Sequence, residues 1–308
     1  MIEITNLTKK TGRSTVLENL TFSARHRECL GIFGHDAAGK STLLQLLSGA
    51  IPATSGNIKI YDLDISTHPL KTKRIIGYQP ESALSHGSMR VKSFLGFIAE
   101  IRGFRGLEKR RMVDRAVTRL ELWRVLDSPI AALPAGHQRK VALAQAIMHD
   151  PRLLLLDEPT EGLDILQKHK VGRLIQSLTD EMTVMIASRN PEEFASVCQR
   201  ALVLAEGRLL ADAPTTELQR SSRHYQAITL ATDTPLDLLA LAVLPGVAGI
   251  EEDRHAEGSV TVLAMPGQTI YPHVNALIAN RRWTINTLSL EPGRLSDVIH
   301  HMSQEAPN

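Results

Sequence analysis

Near the start of the chain, apolar positions recur in short runs broken by polar residues, in IEITNL, TVLENLTFSA and ECLGIFG, and these runs predict strands. ECLGIFG passes through a glycine-containing turn into TLLQLLSGA, which predicts an apolar helix. Strand, turn and helix in that order put the turn at the carboxyl end of a strand, where open α/β sheets take their ligands. Asn57–Tyr61 and Ile75–Tyr78 predict further strands. From about Val91 to His149 the period becomes helical, in VKSFLGFIAEIRG, LEKRRMVDRAVTRLEL and HQRKVALAQAIMH, as in a helical insert.

The α/β pattern returns with LLLLDE, a helix over Ile165–Asp180, the strand TVMIAS, a helix over Pro191–Cys198, and a strand pair in RALVLAEGRLLAD that turns at Glu206 and Gly207. After the polar segment Leu218–His224 the chain restarts: strand Ile228–Thr232, helix Pro235–Leu244, strands Ala248–Glu252 and Ser259–Ala264, helix Gln268–Ala279, strand Thr284–Leu290 and a last helix. That βαββαβ order predicts a small α+β sandwich of ferredoxin-like kind. There is no internal repeat.

With 308 residues and 43% hydrophobic content, two domains are expected rather than one. The most apolar neighbourhood, Leu236–Ile250, is broken by Asp237, Pro245 and Gly246 and falls short of the roughly 18–20 apolar residues of a membrane span. MIEITNLTKK has no apolar stretch after a basic segment, so a cytoplasmic product is expected. Cys29 and Cys198 lack metal-ligand spacing and are expected to be buried, reduced thiols. A net charge of +2, from 35 basic and 33 acidic residues, gives no electrostatic footprint for nucleic acid. Lys109, Arg110, Arg111, Arg115 and Arg119 alternate with apolar positions at helical spacing and are expected on a solvated face.

The segment from Gly34 through His35, Asp36, Ala37, Ala38, Gly39, Lys40 and Ser41 to Thr42, GHDAAGKST, fits G-x-x-x-x-G-K-[ST]. In that loop backbone N–H groups at a helix N-terminus hold phosphate oxygens. Lys40 would meet the β and γ phosphates, and Ser41 would offer its hydroxyl to Mg2+. Asp36 and His35 stand where small or neutral residues are expected, and a carboxylate beside phosphates is unfavourable unless it points away. In LLLLDEP the four leucines predict a buried strand with carboxylates at its end. Asp157 would hold Mg2+ through water, and Glu158 is placed to polarise an attacking water, which needs a carboxylate rather than an amide. LPAGHQRK, Leu133–Lys140, puts a proline and a glycine where a helix begins.

GHDAAGKST, LPAGHQRK, LLLLDEP and EGLD (Glu161–Asp164), in this order and spacing, resemble the ATP-binding subunit of ABC transporters over roughly residues 1–220. RKVALAQAIMHDPRLLLLDEPTEGLD and the final LSLEPGRLSDVIHHM look most like the branch serving drug export and gliding motility. The resemblance implies an α/β P-loop NTPase of ABC type at 1–220, with its helical subdomain at about 82–150, and the α+β domain at 225–308. It implies ATP and Mg2+ as cofactors and an integral-membrane permease as partner, on the cytoplasmic face of the inner membrane. In that family two cassettes close head to tail, and each ATP lies between one phosphate loop and the other cassette's signature. Homodimer and heterodimer both remain open, and nucleic acid is not an expected partner.

Several positions depart from the family pattern. Pro134 stands where a signature serine would reach the partner's γ-phosphate; it has neither the hydroxyl nor a backbone N–H. Ala135 and Gly136 still offer N–H groups at a helix start, so weakened anion binding is expected. Arg189 aligns with the switch histidine; it retains charge and donors but cannot act as a neutral imidazole. Thr11 falls near the position of the adenine-stacking aromatic but has no ring; Arg13 could stack instead, though a solvated arginine is expected there. Glu81 matches the magnesium-sensing glutamine, and Gln79 would face the same side of a strand, so either fits that role. The resemblance therefore implies an ATPase that powers a transporter. The alternative is a weakly hydrolysing, nucleotide-gated subunit that supports an active partner. A soluble relative acting on ribosomes or DNA is disfavoured, because no second cassette or long coiled-coil insert is present.

Overall fold

Leu153–Asp157 and Cys29–Phe33 are buried at every position, as strands covered on both faces of a parallel sheet must be. The computed structural model describes residues 1–81, 86–252 and 258–305, so residues 82–85 of the expected helical insert and residues 306–308 lie outside the description. The chain divides into two compact units, Met1–Asp212 and Ala213–Asn308.

The first unit begins with β1 (Ile2–Thr11), β2 (Ser14–Ala24), β3 (Cys29–Phe33), α1 (Lys40–Leu47), β4 (Ser55–Ile60), β5 (Leu63–Asp64), α2 (Pro69–Ile75) and β6 (Ile76–Gln79). It continues with α3 (Val91–Ile101), α4 (Gly106–Arg119), α5 (Ala135–Ile147), β7 (Leu153–Asp157), α6 (Ile165–Thr179), β8 (Thr183–Ser188), β9 (Arg200–Ala205) and β10 (Arg208–Pro214). One sheet runs β2-β1-β4-β5 and the other β10-β9-β3-β8-β7-β6. Leu43, Leu44, Leu46 and Leu47 of α1 join a single apolar cluster with Ile2, Ile4 and Leu20 from the first sheet and Leu30, Ile32 and Leu155 from the second. Burial of about 1.5–3 kcal/mol per large apolar side chain ties helix and sheets together.

In the second sheet β8 lies between β3 and β7, with Phe33 opposite Ser188 and Asp157 opposite Ala187. The three strands therefore release their next residues at one edge: Gly34, Glu158 and Arg189.

Three local expectations change. The Pro191–Cys198 helix is only a 3-10 turn over Pro191–Glu193. Phe194 and Cys198 are buried, and the chain closes one turn (Cys198 N to Phe194 O, 2.8 Å) before entering β9. The helix α2 was not legible in the apolar pattern, since only Thr72 of its residues is buried. The polar segment from Leu218 begins inside a helix, α7 (Thr215–Arg220), and the unit boundary falls at Asp212 rather than 220. The basic cluster does lie on a solvated face, none of its five residues being buried, and it carries surface ion pairs from Lys109 to Glu100, Arg115 to Asp150 and Arg119 to Glu181. Cys29 and Cys198 are buried thiols with no disulfide between them, their Sγ atoms 3.6 Å apart, as expected.

The second unit continues from α7 through β11 (Tyr225–Ala231), α8 (Leu238–Ala242), β12 (Val247–Glu252), β13 (Ser259–Ala264), α9 (Tyr271–Arg281), β14 (Thr287–Pro292) and α10 (Leu295–Glu305). Its sheet runs β12-β13-β11-β14, every neighbouring pair antiparallel. Ile228, Leu230, Val262 and Val274 form its separate core.

Candidate functional site

The turn from β3 to α1 is set by two glycines. A Cβ on Gly34 would lie 2.1 Å from the Leu204 carbonyl oxygen, and Gly39, with φ 98°, caps the helix in a conformation side chains rarely adopt. Ala37 shares a left-handed φ of 63°. No side chain caps α1 and no acidic residue lies in its first turn, so its leading N–H groups and the positive end of its dipole face the loop. Lys40, 7% exposed, donates from Nζ to the carbonyls of Gly34 (2.8 Å) and His35 (2.9 Å). Burial pulls its pKa down, against the opposing charges of Glu158, Asp36 and Asp157.

A cavity of about 530 Å³ opens over this loop, lined by Ser14–Val16, Asp36–Thr42, Glu81, Glu158, Arg189 and Glu206. Asp36 does not leave the site: its largely exposed side chain lines the same cavity and lies 3.7 Å from Arg189. Thr11 pairs with Ser14 in the β1–β2 hairpin, and neither Thr11 nor Arg13 is among the lining residues; Ser14–Val16 take that wall. Pro134 and Gly136 also stand apart, at the start of α5, where the Pro134 carbonyl accepts from His137 and Gln138. Of the two residues left open for magnesium sensing, Glu81 lines the cavity and Gln79 does not. The strand β6 ends at Gln79 and Pro80 redirects the chain, so alternation along a strand no longer relates residues 79 and 81.

Ser41 Oγ donates to Asp157 Oδ1 at 3.2 Å. Burial pushes the Asp157 pKa up to about 6, further raised by Glu81 and opposed by the Ser41 hydrogen bond and by Lys40 and Arg139. Glu158 follows with φ 44°, its N–H held by the Ala187 carbonyl at 2.9 Å. Its carboxylate is fixed at both oxygens: Oε1 accepts the Arg189 backbone N–H at 2.7 Å, and Oε2 accepts the Ser188 hydroxyl at 3.2 Å. Burial still raises its pKa, outweighing those bonds and the charges of Arg189 and Lys40.

The Arg189 guanidinium is surrounded by carboxylates, from Glu161 at 2.6 Å, Glu158 and Glu81 at 3.4 Å, and Asp36 at 3.7 Å. Arg139, on the helix that begins at Ala135, donates to Glu161 (3.0 Å) and to the Glu81 carbonyl (2.8 Å). Sequence reasoning did not single out Arg139, Glu161 or Ser188. All three sit inside or beside quoted motifs, but only the fold makes them neighbours. Among the described residues no cluster of three metal-ligating side chains appears. The oxygen donors present, a hydroxyl and carboxylates, suit a hard divalent cation shared with phosphates.

Residues 17–161 match the family model described as ABC transporter. The lipopolysaccharide export system ATP-binding protein LptB of Escherichia coli is 32% identical over 234 residues, covering 74% of this chain and 96% of that protein. The probable multidrug ABC transporter ATP-binding protein YbhF of Escherichia coli is 29% identical over 223 residues, 72% of this chain; the chain spans only 38% of YbhF's length. In fold, the dimeric post-hydrolysis structure of the ATP-binding cassette MJ0796, bound to ADP and Pi, superposes with a TM-score of 0.63 at 22% identity, covering 70% of this chain and 99% of that one. With a phosphate loop, a buried acidic pair and these relatives, the chain belongs to the ABC transporter family as an ATP-binding ATPase cassette.

Proposed function

We propose that this chain hydrolyses ATP with Mg2+ to drive a separate membrane permease, in an exporter of the drug-export and gliding-motility branch. The observation that carries the reading is the convergence of Lys40, the Ser41–Asp157 pair and Glu158 at one cavity. Lys40 Nζ now bonds two neutral carbonyls, and a phosphate oxygen makes the stronger, charge-assisted partner. Ser41 and Asp157 would hold magnesium, with Glu81 beside them; when bound, the ion neutralises charge on the phosphoryl oxygens. Glu158, anchored at both oxygens and with a raised pKa, is the general base that orients water.

A groove of about 800 Å³ supports the permease partner. It lies between α2 and α3 and is lined by Leu70, Ile98, Ile101 and Phe104, with Leu70 76% and Ile101 65% exposed. Exposed aliphatic side chains in a concave surface suit a helix from a membrane partner. No helix among the described residues is long and apolar enough to cross a membrane. We assign the cassette to the cytoplasmic face of the inner membrane on that partnership, with no nucleic acid bound. The first unit, ending at Asp212 rather than the expected 220, is read as the nucleotide domain, with 82–150 as its helical subdomain. Residues 225–308 are read as a ferredoxin-like accessory domain, which the β12-β13-β11-β14 order supports.

The test is to purify the chain with its permease and compare Mg-ATP turnover with that of Glu158→Gln. Turnover should fall on the order of 100- to 10,000-fold, the range for loss of a general base. An unchanged rate would remove this chain from hydrolysis.

A second reading, a nucleotide-gated subunit of slow turnover, is favoured by Arg189. Its guanidinium lies 3.4 Å from Glu158 and is held by Glu161, which draws the base toward a fixed cation. Under that reading ATP binds and the partner cassette turns over.

A further inference from the structure

The sheet of the second unit, β12-β13-β11-β14, ends on two strands that pair on one side only among the described residues. An edge strand presents a row of unmet N–H and C=O groups, and folded proteins blunt such rows with charges, bulges or prolines. The β12 edge is blunted: its register shifts between Val247 and Gly249, and it ends in Glu251 and Glu252. The β14 edge is not. Its pairing with β11 keeps continuous register from Leu290 to Thr287, it carries no Lys or Arg, and its proline stands only at the last residue, Pro292. Its one charged side chain, Glu291, is drawn back against the sheet by the Thr229 hydroxyl at 2.6 Å.

The strand β14 is also open on both faces. Thr287, Leu288, Ser289 and Leu290 are all exposed, Leu290 at 58%. Leu288 and Leu290 stand opposite Leu230 and Ile228, which are fully buried in the core of the unit. Residues opposite one another share a face, so the two leucines carry the apolar face of that core out to the edge. Thr287, Ser289 and Glu291 take the other face.

A strand with this pattern is complementary to itself. When two copies meet antiparallel about Ser289, each Leu288 lies opposite the other chain's Leu290, each Thr287 opposite Glu291, and no like charges face each other. Centring the pair on Leu288 or Leu290 instead sets the other leucine against Asn286 or Pro292. Two six-residue strands pair weakly alone. Cassettes that act in pairs hold two such edges at high effective concentration, which strengthens the contact without adding to it.

We propose that β14 is a pairing edge for a second copy of this chain, the two second units joining through antiparallel β14 strands centred on Ser289 into one continuous sheet. The inference rests on the pairing of cassettes and stands apart from the hydrolysis reading.

The test traps the pair in the full chain by copper-catalysed air oxidation of introduced cysteines, with the dimer read on a non-reducing gel. The unsubstituted chain is the baseline, its Cys29 and Cys198 being buried. Residues directly opposite have Cα atoms about 4.5–5.5 Å apart, within disulfide reach, so Ser289→Cys should bridge to its own copy. Thr287→Cys alone should not, because its two copies are separated by the offset from 287 to 291, roughly 14 Å along the strands and beyond the ~7 Å limit. Mixed with Glu291→Cys chains, it should bridge. Adding Leu290→Lys at that largely exposed position to Ser289→Cys should abolish the bridge. No bridge at Ser289→Cys overturns the proposal. So do bridging of Thr287→Cys alone as readily as Ser289→Cys, a bridge indifferent to Leu290→Lys, or, in a cell extract, a bridge to a different chain in place of a second copy.

Discussion

Asp157 carries the clearest conflict between stability and chemistry at a single residue. Its carboxyl is 2% exposed and its pKa is pushed from 3.8 to about 6, burial being the largest cause. The folded chain therefore holds this proton more tightly than the unfolded chain does. Between about pH 4 and pH 6 the folded state binds more protons, so stability from this group falls as pH rises, and above about 6 the full penalty is present. Asp157→Asn keeps an oxygen for the Ser41 hydroxyl and removes the charge. In the ligand-free chain without magnesium it should raise stability at pH 7.5 by about 1–3 kcal/mol, and the gain should shrink as pH is lowered through that window. Urea unfolding at several pH values measures this; a less stable variant at pH 7.5 would show that the ionised carboxylate is stabilising and the account wrong. Asp157 was legible in the sequence because a carboxylate ending four leucines has few other uses. The Arg189 cluster was not, since Asp36, Glu81 and the pair Glu158 and Glu161 reach one guanidinium from three separate loops.

Among the elements, those with a strong apolar period were readable and those without it were not. The helices α3 and α4 bury one face each, α5 is buried all round over its second half, and all three lie where the apolar pattern put them, whereas α2 buries only Thr72 and gave no signal. In the second unit a single residue joins two elements. His224, 1% exposed, faces Asp297 of α10 with Nδ1 and Glu251 of β12 with Nε2 at 2.8 Å. Ser222 also bonds Asp297, at 2.9 Å, and Arg223 bonds Glu251, also at 2.9 Å. His224→Leu removes both ring bonds while leaving those carboxylates part-buried. It should destabilise this unit by about 1–3 kcal/mol. With Trp123→Phe as background, Trp283 fluorescence reports the unit's urea midpoint; an unmoved midpoint would mean that Ser222 and Arg223 suffice.

At the scale of the whole molecule, the nucleotide cavity of one chain contains no residue of its own signature segment. Pro134 caps α5 without lining the cavity; under the proposed head-to-tail pairing its effect would fall on an ATP held by another cassette. In a homodimer both sites would then lack the serine hydroxyl. A missing phosphate donor costs on the order of 2.7–4 kcal/mol in a transition state, about a hundredfold or more in rate. Pro134→Ser in a homodimer should therefore raise kcat by about 100-fold or more, read as steady-state phosphate release. A rate that does not change would place the limit at Arg189 or in product release.

The sequence by itself determined the family, the phosphate loop and the acidic pair, because each depends on residue type at fixed local spacing: glycines for a turn, a lysine at a helix start, carboxylates at a strand end. It also determined that two units were present, through the restart of the strand and helix pattern. Only the tertiary structure decided that Glu81 rather than Gln79 meets the nucleotide cavity, that Arg189 stands among carboxylates, and that the buried Gln79 amide has no hydrogen-bond partner among the described residues. Those are through-space relations between side chains distant in sequence, and local periodicity holds no record of the distances that charge, burial and hydrogen bonding depend on.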